Sequence, residues 1–296
     1  MRLTRAIVKS FLPQRPKTAH KGTFGRVLVV AGSDCMSGAG VLCAKGALQA
    51  GAGLVCLALP RNRQEMAAAA LPESLTLGLP VKEGVISASA TSVLLRYVEQ
   101  FEPSVVLIGS GLSKAPFIIP FLKKIQFPTV LDADALNALA RTPHWDQICR
   151  RVPVICTPHP AEMKRMIGGE ISTLEKVRIQ QAKQLSNLTG GVSVLKGFHS
   201  VVTDGKTTYI NPTGGPALAK AGTGDVLGGI IAGLWAQWVA AEGFNKASAL
   251  KAAAAGVYLH GLCGELAAQA LSERCVLASD VAMQLPRAMK KLLRGK

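Results

Sequence analysis

A glycine-rich turn, Gly222-Thr223-Gly224, runs straight into a single acid, Asp225, and then into an apolar stretch. A helix start leaves its first backbone N–H groups without intrahelical partners and carries the positive end of the dipole. Gly222, Thr223 and Gly224 are therefore expected to form an anion hole suited to phosphate. A carboxylate in that place repels phosphate. Asp225 is better suited to the acceptor hydroxyl of a phosphoryl transfer, which it would orient and deprotonate. The alternative is that Asp225 caps the helix. Capping alone does not account for the two glycines of the turn or for Gly228-Gly229 one helical turn later.

Other residues could join it. Lys196 follows a β-rich run and precedes a glycine, which lets an ammonium reach phosphates while the backbone passes close by; a snorkelling surface lysine is the bland alternative. His159 stands in Thr157-Pro158-His159-Pro160, where two prolines fix its direction. Glu162 could organise Mg²⁺ through water, or it could simply complement a helix dipole. Asp134 is expected to N-cap a helix beginning near Ala135. His20 and Lys21 are weaker candidates for phosphate contacts.

Positioning these groups requires a sheet. Val27–Ala31, Val55–Leu59, Val105–Ile108, Thr129–Leu131 and Val154–Cys156 are short, continuously apolar runs separated by helical patterns such as Ala39–Ala50. Strands without alternation, spaced by helices, predict an α/β fold with a mainly parallel sheet covered on both faces. Ligands in such folds gather at the carboxyl ends of strands. Gly32-Ser33-Asp34, Gly109-Ser110-Gly111, Asp132-Ala133-Asp134 and Thr157–Pro160 all fall there and predict one shared pocket. Further on, Asp204-Gly205 between two β-rich runs predicts a hairpin.

Composition excludes other classes. Hydrophobic content of 49% argues for a globular chain. The net charge of +16 invites nucleic acid, but the basic residues are dispersed and aromatics are only 5%, so neither nucleic acid nor a membrane is an expected partner. Val226–Ala241 reads as a buried helix rather than a membrane span. Seven scattered cysteines, an odd number, point to reduced thiols and a cytoplasmic protein. Residues 1–20 form a basic lead without a secretory apolar core, and the tail Arg287–Lys296 is expected to be a solvated helix end. No Walker loop is present, and Gly38-Ala39-Gly40 lacks the third glycine of a dinucleotide fingerprint.

The motifs taken together, His20–Gly25, Val29–Ser33, Gly38-Ala39, Ala47–Gly53, Pro72-Glu73, Gly109–Leu112, Asp132–Asn137, Thr157–Glu162, Leu195–Gly197, Ala221–Leu227 and Val257–Gly261, resemble the ribokinase-like superfamily. Within it they resemble the ADP-dependent NAD(P)H-hydrate dehydratases, over roughly residues 10 to 275. Each motif is weak alone; their shared order carries the resemblance. Two departures stand out. Gly109-Ser110-Gly111-Leu112-Ser113 replaces the family's usual Gly-Pro-Gly-Leu-Gly, and Cys35-Met36-Ser37 replaces a tyrosine pair that could stack on a ring.

The resemblance implies a single ribokinase-like domain over 1–296, a three-layer α/β/α sandwich, with no N-terminal epimerase domain and a separate polypeptide supplying the epimerase. It implies hydrated NADH and NADPH as substrates, ADP as phosphoryl donor, Mg²⁺ and a homotetramer. By the same resemblance Ala39, Gly111, His159 and Asp225 contact the hydrated cofactor. Lys196, Gly197, Phe198, His199, Ser200 and Gly224 hold the nucleotide, and Asp225 is catalytic. Two alternatives remain open: a small-alcohol kinase of the same superfamily, and a non-enzymatic nucleotide-binding protein.

Overall fold

In the computed structural model, which describes residues 1–294, the continuously apolar runs become strands buried on both faces. They are β1 (Arg26–Val30), β2 (Leu54–Pro60), β3 (Leu75–Leu79), β4 (Val81–Lys82), β5 (Val85–Ile86), β6 (Val105–Ile108), β7 (Thr129–Leu131), β8 (Val154–Cys156), β9 (Val192–Leu195), β10 (Val201–Thr203) and β11 (Thr208–Ile210). β4 and β5 pair only with each other. The remaining nine form one sheet in the order β11-β10-β9-β8-β7-β6-β1-β2-β3. All neighbours from β3 to β9 are parallel, and β10 runs antiparallel to both β9 and β11. The Asp204-Gly205 hairpin lies between β10 and β11 as expected.

The period of two along each strand assigns side chains to two cores. Val27 and Val29 join one face, Leu28 and Val30 the other. On the first face lie the helices Ser37–Gln49, Thr223–Glu242 and Lys246–Leu271, and on the second Ala90–Phe101, Ala133–Ala140 and Pro160–Ile167. The Thr223–Glu242 helix has the length and apolarity of a membrane span, yet most of it is buried inside the protein. Its glycines explain how. A Cβ on Gly229 would sit 2.1 Å from the Cys43 carbonyl oxygen, so this glycine lets two helix backbones touch and has no phosphate role.

Both ends of the described residues are part of the fold. Leu3 donates its amide to Ile210, extending the sheet at β11, and the Arg5–Ser10 helix buries Val8. Arg5 and Lys9 donate to the carbonyls of Leu292 and Leu293 in the last helix, Leu285–Arg294. That helix buries Leu285, Ala288 and Leu292, so the expectation of a solvated basic tail holds only for its outer face; Gly295 and Lys296 lie outside the described residues. All seven cysteines are free thiols.

Chain order fixes where a ligand can enter. From β1 the chain moves to β2 and β3 on one side and returns through β6 on the other, so the connections diverge between β1 and β6. Such a switch point opens a crevice at the carboxyl ends of the strands.

Candidate active site

The crevice is closed by backbone bonds between successive strand ends. Gly32 N–H donates to Ser110 O at 2.8 Å, Asp134 N–H to Gly109 O at 3.2 Å, Thr157 N–H to Leu131 O at 3.0 Å and Lys196 N–H to Pro158 O at 2.8 Å. The four polar clusters expected to share one pocket are thus tied edge to edge. Gly111 adopts φ +65°, and a Cβ there would lie 3.0 Å from the Cβ of Ala39, which brings these two predicted residues together.

Asp225 occupies the first turn of the Thr223–Glu242 helix, and the N-cap is Gly222, in the left-handed region at φ +88°. A helix cap is therefore not the role of Asp225. The Ser110 hydroxyl favours the charged form of the Asp225 carboxylate, and that hydroxyl accepts from the Cys43 thiol at 3.3 Å. Burial pushes the Asp225 pKa up to about 6, reinforced by Asp132 and Asp134, while Ser110 and Lys196 pull it back. Of the expected anion-hole amides, Thr223 N–H is already engaged by Lys220 O at 3.4 Å.

Lys196 stands directly after β9. Its side chain is 18% exposed, and its Nζ donates to Asp132 Oδ1 at 2.6 Å and lies 3.8 Å from Glu162 Oε2. A Cβ on Gly224 would be 3.6 Å from the same Nζ, so the ammonium sits over the first turn of the Asp225 helix. Burial alone would lower the Lys196 pKa, but Asp132, Glu162 and Asp225 outweigh it and the net shift is upward. The surface-lysine alternative is excluded.

His159 is 46% exposed at its side chain and caps the Pro160–Ile167 helix. Its Nδ1 accepts from the amides of Ala161 (3.1 Å) and Glu162 (3.4 Å), while Glu162 Oε2 accepts from His159 N–H at 2.8 Å, a reciprocal capping box. Burial, then Lys196 and Arg165, lower the His159 pKa, and Nδ1, which accepts from two amides, carries no proton. Burial likewise raises Glu162 to about 7. One Glu162 oxygen is bound to the His159 amide and the other faces His159 Nε2 at 3.2 Å. No group of three His, Cys, Asp or Glu side chains among the described residues converges to hold a cation. The residues present do not build a protein cage for Mg²⁺; Glu162 caps its helix, and a role for it at Mg²⁺ would run through water.

One expectation needs correcting. Asp134 does not cap its helix: Ala133–Ala140 starts earlier, and Asp134 instead accepts from Ser113 N–H at 2.7 Å and from Asn137 at 3.3 Å. His20 spends its Nδ1 on the amide of Gly22 at 3.1 Å. Phe198 and His199 lie in the loop after Lys196, Phe198 77% exposed and stacked on His199 with ring centroids 3.9 Å apart; the Ser200 hydroxyl donates to Gly197 O at 3.0 Å. Ser110 and Asp132 entered the sequence reading only as members of the strand-end clusters and their motifs. Neither carried a local signal of its partner.

The family described as NAD(P)H-hydrate dehydratase matches residues 27–287 of the chain. The Bifunctional NAD(P)H-hydrate repair enzyme Nnr of Moorella thermoacetica is 41% identical over 98% of the chain and 54% of its own length. The chain thus spans about half the length of that relative. The ADP-dependent (S)-NAD(P)H-hydrate dehydratase of Bacillus subtilis is 34% identical over 97% of both proteins. A crystal structure of the ADP/ATP-dependent NAD(P)H-hydrate dehydratase from Bacillus subtilis, co-crystallized with ATP/Mg²⁺, superposes with a TM-score of 0.78 at 32% identity, covering 98% of this chain and 97% of that one.

Proposed function

The chain belongs to the NAD(P)H-hydrate dehydratase family, and from that premise we propose that it dehydrates the S-epimer of hydrated NADH and NADPH at the expense of ADP, giving AMP, phosphate and the restored cofactor. The chain corresponds to about half of its bifunctional relatives and to nearly the whole of the Bacillus subtilis dehydratase, which supports assigning it the dehydratase half of the repair. A cytoplasmic homotetramer served by an epimerase belongs to the same proposal and rests on resemblance.

The observation that carries the proposal is the Asp225 carboxylate in the first helical turn behind the Gly222 N-cap, where the Lys196 ammonium also lies and burial holds the acid at about 6. Hydroxide is a poor leaving group, so the ring hydroxyl is first made into a better one. Asp225 takes the hydroxyl proton as the oxygen attacks the terminal phosphoryl group, and AMP departs. The N–H groups of Gly222 and Gly224 hold the phosphoryl group as its charge develops, that of Thr223 being engaged by Lys220 O. Phosphate then leaves the ring with its bonding pair, a ring proton is lost, and the double bond returns. Lys196 to Ser200 and Gly224 hold the nucleotide, and Ala39, Gly111 and His159 line the cofactor side. Magnesium would be carried by the nucleotide's phosphates and by water, on which Glu162 would act, and would neutralise part of the phosphate charge.

The test is incubation of the pure protein with acid-hydrated NADH and ADP or ATP, following the return of dihydronicotinamide absorbance. Nucleotide-dependent recovery is expected. Recovery with no nucleotide, or transfer of phosphate to a pyrimidine or thiazole alcohol instead, would end the proposal. A base with a pKa of about 6 must be ionised to act. The kcat/KM profile should therefore fall as pH drops through about 6, and a profile flat down to acid pH would exclude Asp225 as the base.

His159 serves two roles in this proposal, and they separate by mutation. His159→Ala removes the cap, which typically costs about 0.5–2 kcal/mol, and also raises KM for the hydrated cofactor. His159→Asn retains a capping side chain, so it should recover the melting temperature but not the KM. Native KM values in the asparagine variant would reduce His159 to a cap.

A further inference from the structure

Arg178 belongs to no motif singled out in the sequence. It lies on the Glu175–Thr189 helix and is 6% exposed, and its guanidinium is turned onto the loop that follows β9. Nη1 donates to the carbonyls of Phe198 and His199, the latter at 3.2 Å, and Nη2 donates to those of Leu195 and Lys196, each at 3.3 Å. Four carbonyls of one short loop thus converge on a single cation. In a trans peptide the N–H of the next residue points opposite to the carbonyl, so the amides of Lys196, Gly197, His199 and Ser200 are turned away from Arg178. Lys196 N–H is taken by Pro158 O, while those of Gly197, His199 and Ser200 have no backbone acceptor among the described residues. Successive free N–H groups of this kind make a concavity for an anion. Gly197 fits the same arrangement: at φ +135° a Cβ there would stand 3.1 Å from Arg178 Nη2.

We propose that Arg178 is a positioning residue that locks the carbonyls of the 195–199 loop inward, so that the loop's amides face the phosphates of the nucleoside diphosphate. The proposal rests on the nucleotide role assigned above to this loop. Arg178 touches no ligand itself. Its charge, buried on the carbonyl side, polarises the peptide dipoles toward the anion.

The test is calorimetric titration of ADP, with melting temperature and both KM values, on wild type, Arg178→Lys and Arg178→Ala. Lysine keeps the charge but lacks the planar fork that serves four carbonyls. Arg178→Lys should therefore bind ADP roughly ten- to a hundredfold more weakly, with KM for the hydrated cofactor unchanged at saturating ADP. Arg178→Ala should lose more, and added methylguanidine should restore part of the ADP affinity. If the alanine variant does not fold, the lysine variant still decides. Wild-type ADP affinity in a folded Arg178→Lys protein overturns the proposal, as does an equal loss for both substrates. A wild-type protein that binds ADP but restores no hydrated cofactor retires the dehydratase assignment and leaves the loop proposal to its own variants; one that binds no ADP overturns both.

Discussion

Asp225→Asn is expected to abolish turnover of hydrated cofactor while ADP binding survives. Asparagine is close to isosteric, so the pocket keeps its shape; the capacity to take a proton is lost. Removing a positioned general base costs about 10²- to 10⁴-fold in rate. Ordinarily such a variant would be confounded by loss of a helix cap, but the N-cap of the Thr223–Glu242 helix is Gly222 and the helix start does not depend on Asp225. Burial penalises the Asp225 charge, and Asp132 and Asp134 add to the penalty, so the neutral variant should melt at the wild-type temperature or above. Turnover rates and ADP titration on one preparation check the prediction. Near-native turnover would leave Asp225 a bystander, and loss of ADP binding in step with turnover would put it on the donor side.

Asp225 was legible because its signal is local: two glycines, an acid and an apolar run describe a helix start wherever they occur. The central strands were legible for a similar reason, since burial on both faces demands continuous apolar residues. β3 was missed. It is an edge strand in which Leu75 is half exposed and Gly78 interrupts the apolar pattern, so what makes Leu75–Leu79 a strand is its pairing with β2. Asp134 misled for another local reason. Ala133 takes φ +45°, and the helix begins there rather than at Ala135, which frees Asp134 to bind the amide of Ser113. Least legible were contacts between distant segments. Lys196 with Asp132, Ser110 with Asp225, and Arg178 with the loop beyond Leu195 join residues on different elements, and only the order of strands brings them together.

The Lys196–Asp132 contact makes Lys196→Met the second large effect, and larger than a lost phosphate contact alone. Loss of one charge-assisted contact to the nucleotide weakens ADP about 10- to 100-fold. In addition, Asp132 is left buried without its partner, with Glu162 close by, and breaking a buried pair from one side costs about 3–5 kcal/mol. The pH profile should also move. Lys196 lowers the pKa of both Asp225 and Glu162, so its removal raises them, and the acid limb of kcat/KM shifts to higher pH. The double variant Lys196→Met/Asp132→Asn separates the contributions. Neutralising Asp132 should restore most of the melting temperature but none of the ADP affinity, because the cation that meets the phosphates is still missing. If ADP affinity returned together with stability, Lys196 would serve only to neutralise Asp132, and the phosphates would be held by backbone amides alone.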